Sequence, residues 1–145
     1  MGAPLKILLA EDNSDDVFLM EQVFKKTGVA GQLHSVSDGL EALAYLKGEP
    51  GFNDRARHPF PDVLLLDLNM PRMNGFEVLE WVRRDSRCSR LMVHVLTAST
   101  RDVDIQRAYD LRANSYVVKP SRLDELAAFV TALHQWHGFT ALPRC

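Results

Sequence analysis

Cysteine is nearly missing from this chain of 145 residues. Cys88 and Cys145 are the two present, without the spacing that a disulfide framework or a thiolate metal site needs. Free thiols suit a reducing compartment, so a cytoplasmic location is expected. No apolar run approaches the roughly 18 residues of a membrane span, and Met1-Gly2-Ala3-Pro4 leads into no signal-peptide core. A basic tract is missing as well. With a formal net charge of -2, composition gives no electrostatic case for binding nucleic acid. Internal repeats and low-complexity segments are likewise absent. What remains is a hydrophobic content of 46% and a charged content of 25%, which fit one globular domain with a proper core.

Apolar runs alternate with amphipathic segments along the whole chain. Strands are predicted at 5–10 ("LKILLA"), weakly at 33–36, at 63–66 ("VLLL"), at 91–96 ("LMVHVL") and at 115–118 ("SYVV"). Between them lie helical patterns. One spans 14–27, with Val17, Met20 and Phe24 on one face. A second is capped by Asp38 and carries Leu40, Leu43 and Leu46; a third carries Phe76, Leu79 and Val82. The fourth runs over about 102–112. The last begins near Ser121, with Leu123, Leu126, Ala127, Val130 and Leu133 on one stripe and Gly138 as its C-cap. Five strands and five helices in strict alternation predict an α/β fold, a parallel sheet covered on both faces. Residues 48–61 read as a long Gly/Pro-rich surface loop.

Ligands of such sheets bind beyond the carboxyl ends of the strands. There the first strand delivers Glu11-Asp12, the third Asp67, the fourth Thr97-Ala98 and the fifth Lys119-Pro120. Taken singly, Glu11 and Asp12 could open a helix, Asp67 could start a solvated loop, Thr97 could cap a helix and Lys119 could be any surface lysine. The alternating fold brings all of them into one crevice. Three carboxylates repel there unless a cation neutralises them, and oxygen ligands without Cys or His point to Mg²⁺. A lysine beside them suits a phosphoryl oxygen. An already ionised aspartate can act as a nucleophile and form an aspartyl phosphate, which explains why the buried run "VLLL" ends in Asp67.

The motifs "LLAEDN", "LLLDLNMPRMNGFEV", "VLTAST" and "YVVKP" stand in an order and spacing that resemble the receiver domains of two-component response regulators. The resemblance covers about residues 5–135. It implies a five-stranded parallel sheet of order 2-1-3-4-5 with five helices on both faces, like chemotaxis regulators and flavodoxins. It also implies phosphate acceptance at Asp67 from a histidine kinase. Metal would be held by Asp12, Asp67 and the backbone carbonyl of Asn69, with Glu11 acting largely through water. Thr97 and Lys119 become the switch and phosphate-contacting residues. Tyr116 matches an aromatic switch, and Lys119-Pro120 is where the family usually has a cis peptide. Glu11 stands where aspartate is common, Asn74-Gly75 replaces a commoner Asp-Gly, and Ser121 stands where Phe is usual. The long loop and the tail "QWHGFTALPRC" look like the single-domain regulators that serve bacterial phytochromes.

Two rival functions share parts of this pattern. A flavodoxin-like carrier needs an anion-accepting loop after the first strand, where Glu11 and Asp12 would repel a flavin phosphate. A dehalogenase-type phosphohydrolase needs a second acid two residues after its nucleophile, and position 69 is Asn. A signalling protein, not an enzyme, is therefore expected. His94, in a strand, reads as a satisfied core residue. Residues 1–137 form the predicted receiver domain and 138–145 an extension too short for an output domain. Apolar residues in that tail, Trp136, Phe139 and Leu142, predict a patch that pairs two copies into a homodimer.

Overall fold

Five parallel strands run through the centre of the structure, a computed structural model that describes residues 4–29 and 31–143. Cys145 therefore lies outside the described residues, while Cys88 is buried. The elements are β1 (Leu5–Ala10), α1 (Ser14–Thr27), β2 (Gly31–Val36), α2 (Gly39–Lys47), β3 (Val63–Leu66), α3 (Gly75–Arg84), β4 (Met92–Thr97), α4 (Asp102–Asp110), β5 (Ser115–Val118) and α5 (Leu123–Phe139). The sheet order is β2-β1-β3-β4-β5, all parallel. Strand side chains alternate between faces, so the sheet supplies two cores. Leu8, Ala10, Leu64, Leu66, Val93 and Val95 meet α2, α3 and α4 on one side. Leu5, Ile7, Leu9, Val63 and Leu65 meet α1 and α5 on the other. Only the central strands need a residue that is apolar on both faces, which is why "VLLL" is continuous and β2, at the sheet edge, is not. Each fully buried leucine contributes about 1.5–3 kcal/mol, so the two cores fix the strand ends firmly.

Several boundaries differ from the sequence reading. β2 begins at Gly31, because an edge strand pairs with β1 over Leu5–Ala10 whatever its hydrophobicity. Thr97 is the last residue of β4 instead of the first residue past it. Leu40 and Leu123, in the first turns of α2 and α5, face solvent, 43% exposed each. Gly138 is not a cap: α5 runs through it to Phe139, and Thr140 closes the helix. No cis peptide occurs among the described residues, so Lys119–Pro120 is trans.

The tail also departs from expectation. Trp136 packs on the chain's own core, its ring edge-on to His94 at 5.6 Å. Leu142 is half-buried and lines a cavity of about 410 Å³ with Phe60 and Pro61. Of the three predicted patch residues only Phe139 stands out into solvent, 88% exposed. His94 is only half satisfied: Nδ1 lies 2.5 Å from Ser115 Oγ, while Nε2 is buried without a hydrogen-bond partner. Burial lowers its pKa below the ordinary 6.5. The 48–61 loop is more than a surface excursion. Phe52 and Phe60 pack on the core, and Arg55 donates to the carbonyls of Tyr45, Leu46 and His58. Among the described residues, no helix is long and apolar enough to cross a membrane.

Candidate functional site

Backbone hydrogen bonds continue the sheet ladder past the strand ends and hold the site residues in register. Glu11 N donates to Val36 O at 3.0 Å, Asp67 N to Ala10 O at 3.0 Å and Lys119 N to Thr97 O at 2.8 Å. The helices that follow are capped by other residues, which leaves the acids free. Asn13 caps α1, accepting from the amides of Asp15 at 2.9 Å and Asp16 at 3.3 Å. Asn74 caps α3 in a reciprocal box with Glu77. Thr97 caps nothing, because α4 begins five residues later without a side-chain cap. α3 can start this close to β3 only because residue 75 is glycine; a Cβ there would lie 2.3 Å from Asp67 O.

Asp67 is the meeting point. The residue is 5% exposed, and its carboxylate accepts from three sides. The fully buried Thr97 hydroxyl donates to Oδ1 at 2.9 Å, and the Asn69 amide reaches the same oxygen at 3.3 Å. Lys119 Nζ donates to Oδ2 at 3.3 Å. That ammonium also contacts Glu11 Oε1 at 2.5 Å and Asp16 Oδ2 at 2.9 Å. One oxygen from each of Glu11, Asp12 and Asp67 falls within 4.8 Å of the others, with Asp12 exposed and the other two buried.

The electrostatics show a deficit of positive charge. Burial raises the Glu11 pKa from 4.5 to about 7; the Lys119 ammonium opposes this, and the Asp67 charge adds to it. For Lys119, burial alone would favour the neutral amine, yet Glu11, Asp16 and Asp67 together push its pKa above the ordinary 10.5. One lysine cannot neutralise four acids, so the cluster suits a divalent cation. Its donors are all oxygen, the set preferred by Mg²⁺ or Mn²⁺ over softer metals.

The sequence-predicted residues Glu11, Asp12, Asp67, Thr97 and Lys119 therefore come together, with the Asn69 backbone beside them. Tyr116 lies further out: its hydroxyl donates to Ser99 O at 2.9 Å and its ring packs against the core formed with α4. Burial raises its pKa, and the Ser99 hydrogen bond opposes the rise. Trp136, Phe139 and Leu142 belong to a different part of the surface. Sequence reasoning missed Asp16. The available signal was its place in the first turn of the helix that leaves the Glu11-Asp12 strand end, which keeps it near the same end of the sheet.

Comparisons with known proteins bear on this geometry. A family profile described as the response regulator receiver domain matches residues 7–131. The chain is 36% identical over 141 residues to the probable methanogenesis regulatory protein FilR2 of Methanothrix harundinacea, covering 97% of this chain and 88% of FilR2. To the response regulator Rcp1 of Synechocystis it is 33% identical over 141 residues, covering 97% and 94%. The crystal structure of the Mn²⁺-bound form of Rcp1 superposes with a TM-score of 0.83 at 33% identity, over 97% of this chain and 99% of that one. The phosphorylated cyanobacterial phytochrome response regulator RcpA gives a TM-score of 0.87 at 35% identity, again over 97% and 99%.

Proposed function

Because the chain belongs to the response regulator receiver domain family of two-component signalling, we propose that it accepts a phosphoryl group on Asp67 from a histidine kinase. In that transfer an Asp67 oxygen bonds to phosphorus, the phosphorus–nitrogen bond to the kinase imidazole breaks, and the imidazole leaves with the electron pair. Mg²⁺ is the proposed cation, held by Glu11, Asp12, Asp67 and the backbone carbonyl of Asn69. When bound it would offset the charge on the phosphoryl oxygens. Lys119 supplies a second positive charge beside Asp67, and the Thr97 hydroxyl would donate to a phosphoryl oxygen. The observation that carries this reading is the flanking of Asp67 by Thr97 Oγ1 at 2.9 Å and Lys119 Nζ at 3.3 Å. Asn69 offers no carboxyl for a leaving group, which supports a stoichiometric acceptor over a turnover enzyme.

The proposed kinase is a bacterial phytochrome, supported by the likeness to RcpA across nearly the whole chain. Residues 1–137 would form the receiver and 138–145 an extension, working in the cytoplasm. Output would pass through the face of α4, β5 and α5, where Val103, Tyr109, Val118 and Leu123 are exposed. Thr97 and Tyr116 would couple Asp67 to that face. The C-terminal patch of Trp136, Phe139 and Leu142, of which Phe139 is exposed, would form a homodimer. Phosphotransfer profiling tests the partner: a purified phytochrome histidine kinase should label this chain within the time it labels its own regulator. Labelling by unrelated kinases alone would contradict the assignment.

A further inference from the structure

Lys119 carries three N–H donors, and each meets a different carboxylate: Glu11 Oε1 at 2.5 Å, Asp16 Oδ2 at 2.9 Å and Asp67 Oδ2 at 3.3 Å. Glu11 and Asp67 belong to the group whose oxygens converge on one point with Asp12. Asp16 does not. A cation among those three acids competes with the ammonium for two of its partners, and the third is left to it. Both ends of that remaining contact are fixed by the fold. Asp16 sits in the first turn of α1, its amide bonded to the Asn13 cap, and Lys119 is tied to the end of β4 through its own amide.

We propose that Asp16 is a positioning residue that keeps the Lys119 ammonium over Asp67 when a cation takes Glu11 and Asp67, so that the lysine is in place for the phosphoryl group. This rests on the receiver reading above. The alternative view of Asp16 is that of an acid stabilising a helix N-terminus, as Asp15 beside it does. Simple electrostatics then gives the opposite sign: deleting a negative charge near the pocket helps an incoming anion. Tethering predicts that deleting Asp16 hurts it.

Fluoroberyllate, which takes the tetrahedral shape of a phosphoryl group on a carboxylate, separates the two when titrated in saturating Mg²⁺. The wild type should bind it. Asp16→Asn should weaken binding roughly fivefold, the size of a partly exposed ion pair, and Asp16→Glu should restore part of the loss. Asp15→Asn, on the same turn but away from Lys119, should leave binding unchanged or tighter. Thermal melts of each variant keep folding defects apart from this effect. Equal or tighter binding by Asp16→Asn would overturn the inference and leave the receiver reading standing, as would equal weakening by Asp15→Asn. Failure of the wild type to bind fluoroberyllate would overturn both.

Discussion

Arg72 reaches back across the site's outer wall to Asp38, its Nε 2.9 Å and its Nη2 2.5 Å from the same carboxylate oxygen. The two belong to different loops. Asp38 caps α2 through the Glu41 amide at 2.8 Å, and Arg72 lies in the β3–α3 loop that carries Asn69. To make the contact Arg72 adopts φ +65°, a left-handed backbone that a side chain disfavours. Beneath it Gly39 lets the loops close, since a Cβ there would lie 2.1 Å from Met73 O. The pair pins the segment downstream of Asp67.

Arg72→Ala should therefore cost about 0.5–1 kcal/mol in urea unfolding, because the arginine is largely exposed. Arg72→Gly should cost less, since glycine relieves the left-handed backbone. Asp38 adds a pH signature. Burial alone would raise its pKa, but the Glu41 amide and Arg72 outweigh burial and lower it below 3.8. A depressed carboxylate stabilises above its unfolded value, so its contribution should persist above pH 3.8 and fade below it. Acid titration of wild type against Asp38→Asn checks this; parallel curves would contradict it.

Glu11 predicts the opposite slope near neutrality. Its folded pKa, raised by burial from 4.5 to about 7, means that the metal-free native state holds a proton which the unfolded chain has released. Stability of the metal-free protein should fall as pH rises from 5 to 8. Mg²⁺ should reverse the trend, because cation binding expels that proton and tightens with pH. Urea midpoints at both pH values, with and without Mg²⁺, measure it, and Glu11→Gln should flatten both responses.

Much of this site was legible because a parallel sheet makes position predictable. A residue that follows a buried strand goes to one end of the sheet, so Glu11, Asp12, Asp67, Thr97 and Lys119 could be gathered from strand ends alone. The strand β3 was legible for the same reason, since only a central strand is apolar at every position. β2 was weak because an edge strand is held by its ladder with less help from burial. The contacts that Asp16 and Arg72 make were not legible, although the place of Asp16 in the first turn of α1 was a signal. One depends on how far α1 leans toward β5, the other on a backbone angle without a glycine to announce it. Trp136 was misplaced because a tail with no strand ahead of it reads as spare, although β4 presents His94 to receive the indole.

Thr97→Ala should still take up phosphate, since Asp67 and Lys119 are untouched, but should respond weakly at the α4–β5–α5 face. The hydroxyl is the group expected to move from Asp67 Oδ1 to a phosphoryl oxygen, and the Tyr116 ring is the element that follows. Amide NMR shifts at Val103, Tyr109 and Val118 on phosphorylation should shrink at least several-fold in the variant. Identical shifts in wild type and variant would remove Thr97 from the coupling.

Phe139, 88% exposed at the end of α5, should be buried in a homodimer formed without phosphate. Light scattering at tens of micromolar should give twice the 16.4 kDa chain mass for wild type and the monomer mass for Phe139→Asp. A monomeric wild type would refute the dimer.

The most direct test of the whole account is intact-protein mass after incubation with a small acyl phosphate. With Mg²⁺ the wild type should gain one phosphoryl group that is stable to neither acid nor base, and chelation should abolish the gain. Asp67→Asn should gain none while retaining its fold by circular dichroism. A phosphoryl group that persists in Asp67→Asn, or that forms equally well in chelator, would contradict the claim that Asp67 is the acceptor in a cation-dependent site.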